Sequence, residues 1–156
     1  MTCAKLVILT VVMKMKDSRE LLSSILKTAQ MGQVGIRSAL STAMRPTLRK
    51  ALESQLQEYD AIESEAHAIA SQRGWELQDL RPAIRCMTDL TTRVRLSRGN
   101  TDSKIAGMMI QGNTRGMITG LKNLHQFNRQ DTRIQVLSQK LLDSETANIR
   151  QMQGFL

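Results

Sequence analysis

Aromatic residues make up only 3% of this 156-residue chain: one Trp, one Tyr and two Phe. So few aromatics argue against a large β-sandwich and against a stacking surface for single-stranded nucleic acid. Two cysteines, Cys3 and Cys86, are too few for a disulfide framework or a four-cysteine zinc site. Two prolines and nine glycines leave little punctuation, so long uninterrupted elements are expected. Strand-like alternation is missing after residue 16, and no apolar run reaches the ~20 residues a bilayer span needs. The histidines are His67 and His125. Neither lies in an HExxH, GxSxG or Cys–His signature, and no glycine-rich phosphate loop follows a strand, so no catalytic residue is expected.

What is present is the balance of a globular chain, with 41% apolar and 23% charged residues in a length that suits one domain. Lys and Arg number 22 against 14 Asp and Glu, a net charge of +8, which favours polyanionic partners. The charge is laid out unevenly. Glu53, Glu58, Asp60, Glu63 and Glu65 occur with no base between them, whereas Arg81, Arg85, Arg93, Arg95 and Arg98 face only Asp89. The arginines form either a polyanion-binding face or the internal partners of the acidic stretch. Residues 1–16 read as a leader, either a mis-assigned start with Met13 or Met15 as the natural first residue, or a disordered segment. Residues 17–156 read as a single cytoplasmic helical-bundle domain.

Helix signals recur from Asp17, an N-cap paired with Glu20. Leu22, Ile25, Ala29, Gly32, Ile36 and Leu40 form the stripe of a helix near 18–41. Pro46 suits the first turn of a second helix over 46–73, with Leu48, Leu52, Leu56, Tyr59, Ile62, Ala66 and Ile69 on one face and Gly74 as its stop. Trp75 is expected to pack back over that helix end. A shorter element follows from the Asp79 cap, with Ile84, Met87, Leu90 (or Thr91) and Val94 as its stripe. Thr101 and Asp102 open the next helix, which runs to about 127. Asp131 caps the last, carrying Ile134, Leu137, Leu141, Asn148, Met152 and Phe155. Short connections at 42–45 and 128–130 make two antiparallel hairpins, and residues 74–100 are long enough to travel back between them. The predicted fold is all-α, a ferritin-like antiparallel four-helix bundle with an additional shorter crossover helix.

A ferritin-like di-metal centre takes a Glu from each of two helices and Glu-x-x-His from the others. The nearest approach here is a reduced set, Glu63, His67 and Glu145, which could hold iron, manganese or zinc. The competing reading is a buried polar network of Gln33, Glu63, His67, Glu145 and Asn148, with Glu145 paired to a neighbour such as Arg37 or Gln33. No cofactor is needed on that reading. Gly112, Gly116 and Gly120 fall on one helical ridge and point to close helix–helix contact, since each costs a helix interior about 1 kcal/mol relative to Ala. Met108, Met109 and Met117 read as adaptable packing, Cys86 as a small buried hydrophobe and His125 as a surface or capping residue.

The segments Leu48–Leu52, Glu58-Tyr59, Glu63–His67, Gly74-Trp75 and Leu141–Asn148 together resemble bacterial ferritin-like bundle proteins similar to the spore-coat protein F type. The resemblance covers residues 17–156. It implies a ferritin-like bundle, oligomerisation, and a structural or coat-associated role with a second copy, a coat protein or a polyanion as partner. Ala66 and Asn148 stand where that metal pattern has His, which argues against iron oxidation. A non-catalytic structural protein is therefore expected, with a metal-binding oxidoreductase and a basic nucleic-acid-binding bundle as alternatives.

Overall fold

A computed structural model describes the chain over residues 3–80, 101–126 and 131–156, with side chains from residue 18 onward. Four helices carry it: α1 (Cys3–Leu40), α2 (Pro46–Gln72), α3 (Thr101–Gln126) and α4 (Thr132–Gln153). The protein is an all-α four-helix bundle. Arg81, Arg85, Arg93, Arg95, Arg98, Cys86 and the expected crossover helix lie outside the described residues. No described helix is long and apolar enough to cross a membrane.

The helix bounds follow from residues that stop or start helices. α1 begins at Cys3, so Asp17 lies inside it rather than at its N-cap. The first Gly is Gly32 and the first Pro is Pro46, so nothing upstream of Asp17 breaks the helix. Pro46 opens α2 at its first turn, where a missing N–H costs nothing. Gly74 ends it with φ +62°. There Trp75 N–H donates to Ala70 O at 2.9 Å and Gly74 N–H to Ser71 O at 3.1 Å, a left-handed glycine cap that only a residue without Cβ adopts cheaply. Trp75 then packs against the core, with the Arg73 guanidinium 5.0 Å from its ring centre. Asp131 accepts from Arg133 N–H at 2.9 Å and caps α4.

The core is the set of predicted stripes brought face to face. Leu22, Ile25, Ala29 and Ile36 of α1 meet Leu52, Tyr59, Ile62 and Ile69 of α2, Ile105 and Met109 of α3, and Ile134, Leu137, Leu141 and Met152 of α4. Each fully buried aliphatic contributes roughly 1.5–3 kcal/mol relative to exposure.

Side-chain ties set the directions. At one end Asp102, at the start of α3, accepts from the N–H groups of Met44 and Arg45 and from Arg45 Nε, each at 2.9 Å. Arg45 also donates to Phe155 O at 3.2 Å and lies 5.4 Å from the Phe155 ring centre. At the opposite end Arg73 pairs with Asp131 at 2.7 Å, and Arg133 donates to Gln72 at 2.6 Å. α1 and α2 are antiparallel, as are α3 and α4, while α2 and α3 point the same way. The exit of α2 at Gly74 and the start of α3 at Thr101 therefore lie at opposite ends of the bundle.

Asp102 is 4% exposed. Burial alone would raise its carboxyl, but the Met44 and Arg45 N–H groups and the Arg45 guanidinium outweigh it and hold the carboxyl below its ordinary 3.8. A depressed acid contributes stability that is present above the unfolded value and lost as pH falls through the folded one. Asp102→Asn is expected to cost about 2 kcal/mol at neutral pH and to flatten the acid limb of the stability profile, read from urea midpoints against pH.

Candidate functional site

Two polar clusters occupy the bundle, one on the flank of the α1–α2 hairpin and one at its centre. The flank cluster is built on α2, where Glu63 and His67 are one turn apart. The chain reverses at Gly74 and brings Asp79 back beside them. His67 Nε2 lies 3.8 Å from Glu63 Oε1 and 3.8 Å from Asp79 Oδ1. Gln30 of α1 donates from Nε2 to both carboxylates, at 2.9 Å each, and accepts Leu80 N–H at 2.9 Å. Gln33 Nε2 donates to Glu63 Oε2 at 2.6 Å and to Asp60 Oδ1 at 2.8 Å. His67 is 47% exposed and Asp79 70%.

The central cluster surrounds Tyr59, 1% exposed. Its hydroxyl donates to Asn113 Oδ1 of α3 at 2.8 Å and accepts from Asn148 Nδ2 of α4 at 3.5 Å. Asn113 Nδ2 donates in turn to Met109 O at 2.8 Å. Burial pushes the tyrosine hydroxyl well above its ordinary range, and the Glu145 carboxyl beside it pushes the same way. A Cβ at Gly32 would stand 2.6 Å from the Tyr59 ring, so α1 admits the ring only because position 32 is glycine. Glu145 is 2% exposed, and its Oε2 has no hydrogen-bond partner. Burial pushes its carboxyl up to about 8, with the Tyr59 hydroxyl pulling the other way.

This geometry corrects several expectations. Glu145 does not join Glu63 and His67; the third group near them is Asp79. The expected network divides: Gln33 and Glu63 belong to the flank, Glu145 and Asn148 to the centre, and His67 is exposed rather than buried. Arg37 pairs with Asp60 at 3.6 Å, not with Glu145. The acidic stretch finds partners on α1 and α4, including Glu65 with Lys140 at 3.9 Å. Of the glycine ridge, Gly116 abuts the Glu145 carboxyl and a Cβ at Gly120 would lie 3.5 Å from Leu142, but one at Gly112 would meet nothing within 4 Å. Gly112 is exposed, lying about 80° round the helix from the buried Gly120 and about 100° from the buried Asn113. His125 is exposed on the last turn of α3, as expected.

A di-metal centre of the ferritin-like kind does not fit the bundle interior. Among the described residues the central layer offers one carboxylate, Glu145, with Tyr59, Asn113, Asn148 and Gln55, where such a centre takes several carboxylates and two imidazoles. Tyr59 and Glu145 are also sealed from solvent, so they organise the core instead of meeting a substrate. Asp79 escaped the sequence reading because it looks like a helix cap. The signal for it was the Gly74 stop, which turns the following residues back over the end of α2. Tyr59 read as one more stripe residue, and its hydroxyl was the overlooked feature.

No family model and no curated protein matches the chain. Among solved structures it is similar to a crystal structure of a DUF305 fragment from Deinococcus radiodurans, with a TM-score of 0.70 and 12% identity over 88% of this chain and 93% of that one. At that identity the likeness extends to the fold alone.

Two predictions come from the central cluster. Glu145 has a raised folded value, so the folded state holds a proton that the unfolded chain gives up. The favourable contribution is complete below 4.5 and is lost as pH rises toward about 8, at up to ~1.4 kcal/mol per pH unit. Glu145→Gln should flatten that part of the stability profile and exceed the parent in stability at its alkaline end, measured by urea unfolding across the interval. Gly112→Ala should stabilise by up to ~1 kcal/mol, and Gly116→Ala should destabilise by about 1–3 kcal/mol. Thermal unfolding of the pair checks the opposite signs.

Proposed function

We propose that the protein is a non-catalytic structural and interaction bundle that self-associates through the outer face of α3. The observation that carries this reading is a second stripe on that helix. Ile118 and Leu121 are 44% and 43% exposed. With Lys122, His125 and Gln126 they line an open groove. The spacing i, i+3, i+4, i+7 places Ile118, Leu121, Lys122 and His125 on one helical face, turned away from Ile105, Met109 and Asn113. Two branched aliphatics side by side on a solvent face lose water when a like face covers them, and an isologous pairing of two α3 helices does this symmetrically.

The interior supports a scaffold role. Its polar groups are spent on helix register, as with Tyr59 between Asn113 and Asn148, or on tying ends together, as with Asp102 and Arg45. A place in an assembled layer such as a spore coat, which the sequence resemblance implies, rests on the same self-association. Because each copy carries a charge of +8, association through an apolar face should strengthen as salt screens repulsion.

The test is light scattering coupled to size exclusion over a range of chain and salt concentrations. The expected result is a dimer or larger species, favoured by salt, and a monomer for the double variant Ile118→Glu, Leu121→Glu with unchanged helical content. A wild-type monomer at millimolar chain concentration, or a variant that associates equally well, would overturn the reading.

A further inference from the structure

We infer that Glu63, His67 and Asp79 form a binding site for a transition-metal dication, and that the bound ion clamps the start of the crossover onto the α1–α2 hairpin. The site lies on the flank of the bundle, away from the α3 face argued above, and does not depend on it.

Glu63 Oε1, His67 Nε2 and Asp79 Oδ1 all lie within 4.8 Å of one another. Both distances from the imidazole are 3.8 Å. A point equidistant from the three atoms is therefore at most about 2.5 Å from each, against the ~2.0–2.2 Å that nitrogen and oxygen ligands take around zinc. A contraction of a few tenths of an ångström completes the set. His67 and Asp79 are the more exposed members and can supply it.

The ligands are preorganised. Glu63 is held at both oxygens, Oε1 by Gln30 and Oε2 by Gln33. Gln30 donates from the same nitrogen to Asp79, while its oxygen accepts Leu80 N–H. One amide side chain thus orients two ligands and anchors the backbone that carries one of them. Outer groups that orient metal ligands in this way tune affinity strongly.

Glu63 and Asp79 are anions converging on one amide nitrogen, and among the described residues no Lys or Arg pairs with either of them. The His67 imidazole lies 3.8 Å from each of them. A dication in that position relieves the repulsion. The imidazole selects a transition metal such as Zn(II) over Mg(II) or Ca(II), which prefer all-oxygen sets. Three protein ligands and an exposed rim leave the remaining positions to water, so the ion is exchangeable. Glu63 and His67 are on α2, Gln30 is on α1 and Asp79 lies beyond the Gly74 stop, so occupancy ties three stretches of chain at one place.

The experiment is calorimetric titration of Zn(II) into the full chain, with Mg(II) as control, for the parent and for His67→Gln, Asp79→Asn and Glu145→Gln. Thermal unfolding with and without Zn(II) is measured beside it. The expected result is one Zn(II) per chain and a raised Tm in the parent and in Glu145→Gln. In His67→Gln and Asp79→Asn the affinity should fall at least ~10-fold and the Tm rise should disappear. Both substitutions are at exposed positions and leave the core intact, so a loss of binding is not a loss of fold. Absence of Zn(II) binding in the parent overturns the site. Binding that survives both substitutions places the metal elsewhere, for example at His125 or a cysteine, and overturns it too. Loss in His67→Gln alone removes Asp79 as a ligand and overturns the clamp.

Discussion

A tyrosine hydroxyl in the middle of four helices has to find partners, and this single requirement sets the heights of the helices. Tyr59 is 1% exposed, and its hydroxyl is shared between Asn113 of α3 and Asn148 of α4. Its ring rests where Gly32 leaves α1 bare. Aliphatic stripes alone would tolerate a slide of one helical turn, about 5.4 Å, because Leu and Ile repeat along each face. The tyrosine layer does not tolerate it. A shifted helix would strand a buried hydroxyl or amide at ~1–3 kcal/mol for each orphaned group. Glu145 sits one turn from Asn148 in the same layer, and Gly116 is the gap that accommodates its carboxyl.

The ends of the bundle are tied by charge. Asp102 gathers the α1–α2 connection, the start of α3 and, through Arg45, the C-terminus of the chain. Its carboxylate also lies near the N-terminal ends of α2 and α3, where helix dipoles favour negative charge. At the other end Arg73 and Asp131 join the exit of α2 to the entry of α4. With both ends fixed and α2 parallel to α3, the crossover has to leave from the α2 exit. Asp79 falls on that departing stretch and comes to rest beside His67. The flank cluster is thus a consequence of the topology, since it exists only because the chain turns back at Gly74.

Much of this was readable in advance, though unevenly. The four stripes, the two hairpins, the Pro46 start, the Gly74 stop and the Asp131 cap are local signals, and each appears where periodicity and capping chemistry placed it. The start of α1 was misplaced because Asp17 and Glu20 mimic an N-cap pair inside a helix that nothing upstream breaks. The candidate site was half legible. Glu63 and His67 share a helix turn, so spacing alone brings them together. Glu145 was drawn in by an analogy with ferritin-like ligands, whereas it occupies the centre of the bundle. Gly112 shares an i, i+4 ridge with Gly116 and Gly120 yet faces solvent, because such a ridge drifts about 40° around the helix at each step and its first member has turned off the packed face.

By itself the sequence determined that the chain is helical, where its helices turn, and which face of each is apolar. These properties depend on residues within a few positions of one another. Tertiary structure alone decided which polar groups would meet: Tyr59 with Asn113 across 54 positions, Asn148 with Tyr59 across 89, Asp102 with Arg45 across 57, and Gln30 with Asp79 across 49. Such pairings depend on the relative height and rotation of packed helices. A sliding stripe of leucines does not specify those coordinates, and a buried hydroxyl or carboxylate does.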